Sequence, residues 1–262
     1  YAAYYLARAA VRSGTKVTVI TSDLGGRLPA RERMEEMEIV RVHTYKRHWA
    51  RHTLGELAIF YWAARRWFSA EKHVDRPDYL LAHFTLPAGA LARAWARYFG
   101  VPFGVVLHGS DVPGYQPDRF GWIYPLITRS VRRVWRDARP TFAVSTALRD
   151  LALGSWPGGN VQVVPNGVDT TFFCPASEPR PSSTGLRIVV VAQLIPRKGI
   201  DLLLEALSQI SGTAQFHLEI YGIGPSLTAL EEQARRVGLA EHGAFRGLAT
   251  REHLAQAFRQ SD

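Results

Sequence analysis

The chain is poor in cysteine and lysine, and it has no long apolar run. Its single cysteine, Cys174, excludes a disulfide framework and any cysteine-built metal site, and it suits a reducing compartment. Arg, His or Asp interrupts every apolar stretch before the ~20 residues that cross a bilayer, and the first residues do not read as a secretory leader. A cytoplasmic protein is expected, with a peripheral position at the inner membrane face as a compatible place. No strand-like run is followed by Gly-x-Gly-x-x-Gly with a downstream acid, which argues against a nicotinamide-dependent oxidoreductase. There is no zinc motif, no aromatic strand of the kind that stacks on RNA bases and no basic arm, so nucleic acid is not expected as a partner.

What is abundant is arginine. Only four of the 32 basic residues are lysine, the net charge is +9, and the pI is near 10.0. Guanidinium forks hold phosphate in bidentate fashion, so a nucleotide diphosphate or an anionic lipid surface is a plausible partner; a solvated arginine-rich surface fits the balance equally. The densest cluster, Arg129 to Arg139, reads as an amphipathic helix with Val131, Val134 and Trp135 turned inward. With 47% hydrophobic and 21% charged residues the chain is globular, and 262 residues suit one large domain or two smaller ones.

Short β-branched runs alternate with helical periodicity. Strands are expected at 16–21, 37–42, 78–83, 102–108, 141–145 and 161–165, with helices at 1–13, 54–72, 86–99, 121–137 and 146–153. Gly14 and Gly100 stand where helices should stop, and Ser145 stands where one should be N-capped. A Pro- and Ser-rich tract, 174–185, has the composition of a linker. Beyond it the alternation restarts, with strands at 186–194, 215–222 and 243–247 and helices at 199–210, 225–239 and 250–262. The fold class is therefore α/β with two Rossmann-like domains, 1–173 and 186–262, each built on one mostly parallel sheet. The second, with three strands, reads as incomplete, and the chain opens in a helix where a strand should precede it.

Several positions suit chemistry. Lys198 in "PRKGID" lies between a buried strand and a helix N-terminus, where free amides and the helix dipole favour a diphosphate. Gly222 and Gly224 end the next strand and would let a backbone approach a ligand. His108 ends the strand "PFGVVLH" and would project into a crevice, with Gly109 leaving room and Ser110 and Asp111 forming a polar rim, Asp111 on the acceptor side. Asn166 and Gly167 permit the positive φ of a sharp turn out of the first domain, with Asp169 beyond them in the same hinge and Phe172 and Phe173 to pin the departing chain.

The ordered set "VVPNGVDTTFFCP", "VVVAQLIPRKGIDLLLEAL", "LEIYGIGPSLTALEEQARRVGL" and "FRGLATREHLAQAF" resembles the retaining nucleotide-sugar glycosyltransferases of family 4, which have the GT-B fold. "PDYLLAHFTLPAGALARAWA", "VVLHGSDV" and "AVSTALRD" match that family's acceptor-side domain. The resemblance implies transfer of a sugar from a nucleotide diphosphate to an acceptor hydroxyl with retention of configuration, and no metal or other cofactor. The nucleotide sugar and a glycan or lipid-linked acceptor are the implied partners. It implies that Lys198 contacts the donor phosphates with Arg197 beside it, that His108 lies against the donor sugar, that Leu248 meets the nucleobase and that His83 serves the acceptor side. Gln193 stands where the family commonly has Arg, and Leu81 where it often has His. In the family a Gly-rich loop would precede Tyr1 and an acidic motif would follow Asp262, so the 262-residue chain is expected to be a fragment with little activity alone. An epimerase-like enzyme of the same fold is the alternative.

Overall fold

The computed structural model describes residues 2–45, 53–71, 75–117, 121–177, 185–212, 214–239 and 243–262. Internal contacts divide the chain into two units, Tyr1–Gly167 and Val168–Asp262. The division falls ahead of the sequence-based boundary at 173, and most of the expected linker, residues 178–184, lies outside the described residues.

The first unit runs α1 (Ala2–Arg12), β1 (Thr18–Ser22), β2 (Arg31–Met34), β3 (Met37–Val42), α2 (Leu54–Ala70), β4 (Leu80–His83), α3 (Ala90–Phe99), β5 (Phe103–Leu107), α4 (Tyr124–Asp137), β6 (Thr141–Ala143), α5 (Thr146–Ser155) and β7 (Val161–Val163). Local chemistry sets the ends. Thr53 and Glu56 form a capping box at the start of α2. Gly100, at φ 66°, closes α3, and the Ser145 hydroxyl accepts the Leu148 amide at 3.2 Å to open α5.

Strands β4 to β7 form a four-stranded parallel sheet in that order. Every residue of β5 is buried, as expected of a strand covered on both faces. Val105, Leu107, Val131, Trp135 and Ala143 make the centre of its core.

The single sheet expected for this half is not what forms. Strands β1, β3 and β2 make a separate three-stranded sheet, in which β1 is parallel to β3. Among the described residues β1 pairs only with β3 and β4 only with β5, so no described strand joins the two sheets. Strand β2 was not anticipated. Its sequence, RERM, carries no apolar alternation, because it is a largely exposed edge antiparallel to β3. Glu35 and Glu36 turn the hairpin at φ 45° and 66°, a conformation that Asn-Gly usually announces.

The second unit contains β8 (Leu186–Val191), a 3-10 turn at Pro196–Lys198, α6 (Ile200–Ile210), β9 (Phe216–Tyr221), α7 (Leu227–Arg236), β10 (Gly243–Gly247) and α8 (Arg251–Arg259). Its three strands are parallel in the order β10-β9-β8. Leu194, Leu204, Leu218, Ile220 and Leu239 form the core beneath α6 and α7.

The segment that leaves the first unit is anchored differently from the expectation. Neither Asn166 nor Gly167 takes positive φ, and a Cβ at Gly167 would meet nothing within 4 Å, so the sharp turn is not made there. Asp169 shapes the chain instead. Its Oδ1 accepts from the Thr171 hydroxyl (2.7 Å) and from the amides of Thr171 and Phe172 (both 3.2 Å). The Thr171 hydroxyl bond leads the causes that hold this carboxyl below the ordinary Asp range, and nearby Arg251 adds to them. Phe172 lies under the Arg251 guanidinium, 3.9 Å from ring centroid to Cζ, and Arg259 donates to the Phe172 carbonyl at 2.9 Å. The two Phe rings thus pin the departing chain onto α8.

Candidate functional site

In the first unit the candidate residues gather where β4 and β5 end. His83 is the last residue of β4, and His108 follows the last residue of β5. Their rings stack at 5.1 Å and 25°, with His83 Nδ1 2.8 Å from His108 Nε2. One of these nitrogens must donate and the other accept, so a single proton lies between them. Burial, with His108 adding to it, lowers His83 to about 4. Burial also lowers His108, although Asp111 pulls it partly back up. The pair is therefore uncharged at neutral pH. His108 Nδ1 and His83 Nε2 are the nitrogens left over for other partners, and the ring of Phe84 lies 4.8 Å from that of His108.

The loop beyond His108 is built around Asp111, whose carboxylate receives four hydrogen bonds from its own loop and from Thr85. The polar rim read from the sequence is therefore partly turned inward. Gly109 does not leave room for a ligand. It sits at φ 124°, and a Cβ there would come 2.6 Å from the Tyr115 ring, which fills that space.

In the second unit the three parallel strands end on one side, and Gln193, Lys198, Gly222, Gly224 and Leu248 all lie in the loops that follow them. Lys198 ends the 3-10 turn and Gly199, at φ 64°, leads into α6, and among the described residues no side chain caps the first amides of that helix. Lys198, Arg197 and Gln193 are exposed. Leu248, 65% exposed, follows Gly247, whose carbonyl accepts the Gly222 amide at 2.7 Å.

The two glycines have another physical reason than ligand approach. The loop after β8 runs against the loop after β9, with Ala192 N to Tyr221 O at 3.0 Å and Leu194 N to Ile223 O at 3.1 Å. A Cβ on Gly222 would lie 1.8 Å from the Ala192 oxygen, and one on Gly224 2.1 Å from the Leu194 oxygen. Backbone packed on backbone requires both glycines.

Sequence reasoning missed two contributors. Thr85, wholly buried, accepts the Trp135 indole N–H at 2.8 Å and donates to Asp111. A buried tryptophan must place its N–H somewhere, which was a usable signal; nothing marked Thr85 as its acceptor. Tyr221, also buried, bonds Glu219 (3.1 Å) and His253 (3.0 Å) on the face opposite the core.

Comparison with known proteins places this geometry. Residues 2–172 match the Glycosyltransferase Family 4 profile, and 177–262 match Glycosyl transferases group 1. The GDP-mannose-dependent alpha-(1-6)-phosphatidylinositol monomannoside mannosyltransferase of Mycolicibacterium smegmatis is 35% identical over 156 residues, covering 55% of this chain and 39% of the relative. The putative teichuronic acid biosynthesis glycosyltransferase TuaC of Bacillus subtilis is 27% identical, covering 62% of this chain and 41% of the relative. The chain thus spans about two fifths of the curated relatives it matches. Among solved structures, Anabaena HepE in complex with UDP superposes with a TM-score of 0.61 at 17% identity, covering 90% of this chain and 70% of that one. A UDP-forming α,α-trehalose-phosphate synthase of Burkholderia xenovorans gives 0.62 at 15% identity, covering 94% of this chain and 76% of that one. At those identities the likeness is one of fold, two Rossmann-like domains of the GT-B kind. With more than half its length matched by one profile, the chain belongs to glycosyltransferase family 4.

Proposed function

We propose that the protein transfers a sugar from a nucleotide diphosphate to an acceptor hydroxyl, with retention at the anomeric carbon. The observation that carries this reading is the second unit's carboxyl-end loops, where an exposed lysine sits beside an uncapped helix N-terminus. Cleavage of the sugar–phosphate bond builds negative charge on the leaving diphosphate and positive charge at the anomeric carbon. Lys198 and the first amides of α6 stabilise the former. The resemblance assigns His108 to the donor sugar; within the first unit its neutral imidazole, with one nitrogen tied to His83, can bond a sugar hydroxyl without adding positive charge. The acceptor oxygen attacks from the face the leaving group departs, its bond to the anomeric carbon replaces the sugar–phosphate bond, and an oxygen of the departing diphosphate takes its proton.

Leu248 would meet the nucleobase. Relatives named for GDP-mannose and a neighbour solved with UDP support a nucleoside-diphosphate sugar as donor. Calorimetric titration with UDP-, GDP- and ADP-sugars tests the reading. One of the three is expected to bind, and release of free nucleotide only when an acceptor is glycosylated separates transfer from epimerase-like chemistry. Binding of none would overturn the proposal.

A glycan or lipid-linked acceptor is the proposed second substrate, reached by peripheral contact with an anionic membrane. No helix of the described residues is long and apolar enough to cross one. Support for peripheral contact comes from α2, whose Ile59 and Trp62 are exposed at helical spacing beside exposed Arg65 and Arg66. Sedimentation with vesicles containing phosphatidylserine should therefore carry the protein down at low salt, less so at high salt, and less again for Trp62→Ala. Equal sedimentation with neutral and anionic vesicles would count against it.

A further inference from the structure

The loops that follow β4 and β5 meet at one carboxylate. Asp111 Oδ2 accepts from the Thr85 amide at 2.8 Å and from the Thr85 hydroxyl at 3.1 Å. Its Oδ1 accepts from the amides of His108 and Gly109, both at 3.0 Å. An ionised carboxylate offers about four lone-pair sites, and these four donors take them. The carboxylate has no acceptor site left for a substrate hydroxyl and is poorly placed to act as a base.

What the four bonds do is join two loops. Thr85 follows β4 by one residue after Phe84, and His108 and Gly109 follow β5 directly. Thr85 is itself fixed from below, because its oxygen accepts the N–H of Trp135, and both residues are 0% exposed. A rigid line therefore runs from Trp135 in the last turn of α4 through Thr85 and Asp111 to the backbone of His108. The other imidazole, His83, is the last residue of the strand whose exit Thr85 terminates.

We propose that Asp111 is a positioning residue, whose carboxylate locks the two strand exits together so that the His83–His108 pair keeps its contact and presents its two outer nitrogens in one fixed direction. This rests on the sugar-transfer reading only for its catalytic consequence, because the lock itself is a property of the folded chain. The site is set by tertiary contact: the register of β4 on β5 places His83 opposite Val106, two residues short of His108.

Asp111→Asn tests the lock. The amide keeps the shape but replaces one acceptor oxygen by an NH2 group aimed at existing N–H donors. Histidine side-chain nitrogen NMR across a pH titration reads the pair directly. In the parent, His83 is expected to titrate near 4. In Asp111→Asn the loss of the carboxylate charge favours a lower midpoint, but hydration of the loosened pair removes the larger burial effect, so the His83 midpoint should rise by a unit or more toward that of a solvated histidine. Ser145→Ala, which loosens α5 at its N-terminus, controls for a general loss of stability and should leave the midpoint where it is. If Asp111→Asn does not fold, Thr85→Val removes the hydroxyl's bond to Asp111 and the acceptor of the Trp135 N–H but keeps the Thr85 amide bond, and it should move the midpoint in the same direction by less. Where sugar transfer is measurable, Asp111→Asn should lower kcat at least tenfold with donor KM within about threefold. A folded Asp111→Asn with the parent's histidine titration would overturn the proposal, as would a selective rise in acceptor KM at unchanged kcat. The NMR result stands whether or not the protein transfers sugar, so failure of one reading does not imitate failure of the other.

Discussion

Gly222→Ala is expected to destabilise the second unit by at least about 3 kcal/mol, the range in which single substitutions signal forced backbone change. Two independent causes act at that residue. Its φ of 144° is a conformation that side chains rarely adopt. A Cβ would also stand 1.8 Å from the Ala192 oxygen, which belongs to backbone held in place by the Ala192 N to Tyr221 O bond. The loop after β8 would have to separate from the loop after β9, and both lead into helices that cover the same core. Gly167→Ala is the contrast, because no Cβ contact and no positive φ oppose it. There alanine should be neutral, or stabilising by ~0.5 kcal/mol through the unfolded chain. Tryptophan fluorescence cannot follow the first effect, since all seven Trp lie between Trp49 and Trp156. Amide hydrogen exchange in β8 and β9 can. Protection there within ~1 kcal/mol of the parent in Gly222→Ala would show that the two loops are not packed as described.

That glycine illustrates how far the sequence could be read. Gly222 and Gly224 stand out in it, and the need for a bare Cα is real, but its cause is a neighbouring loop that only the pairing of β8 with β9 brings close. The alternation of apolar runs with helical periodicity was legible because parallel strands buried on both faces, such as Phe103–Leu107, carry continuous apolar sequence. Strand β2 was illegible for the converse reason, since an exposed edge needs neither apolar residues nor an Asn-Gly turn when the hairpin closes on two glutamates. The expected turn at Asn166-Gly167 followed residue propensity, and propensity lost to tertiary anchoring by Asp169, Arg251 and Arg259. His83 and His108 were each visible as polar residues at strand ends. Their contact was not, because it depends on the register of β4 against β5, and the Asp111 lock depends on a threonine with no motif of its own.

On the proposed sugar-transfer reading, Lys198→Ala is expected to lower the rate by about 10²- to 10³-fold, the usual loss when one preorganised group that stabilises developing charge is removed. The lysine is one of four in a chain with 32 basic residues, and it ends a 3-10 turn that delivers it to an uncapped helix start. Negative charge grows on the diphosphate as the sugar leaves, so the ammonium acts more strongly on the transition state than on the bound donor. The loss should therefore fall mainly on kcat, with donor KM changing less. Gln193, uncharged where the resemblance implies arginine, leaves Lys198 with a larger share of that charge than a Gly-Arg pair would. Arg197→Ala, one residue earlier in the same turn, removes an equal charge and should cost less than tenfold, because the effect depends on direction toward the leaving group and not on net charge. Lys198→Arg keeps the charge but replaces a point ammonium by a longer planar fork, and should recover only part of the rate. Steady-state kinetics on the four proteins at fixed ionic strength separates these cases. Equal losses for Lys198→Ala and Arg197→Ala would mean that a diffuse positive surface attracts the donor, and the leaving-group role of Lys198 would fall with it.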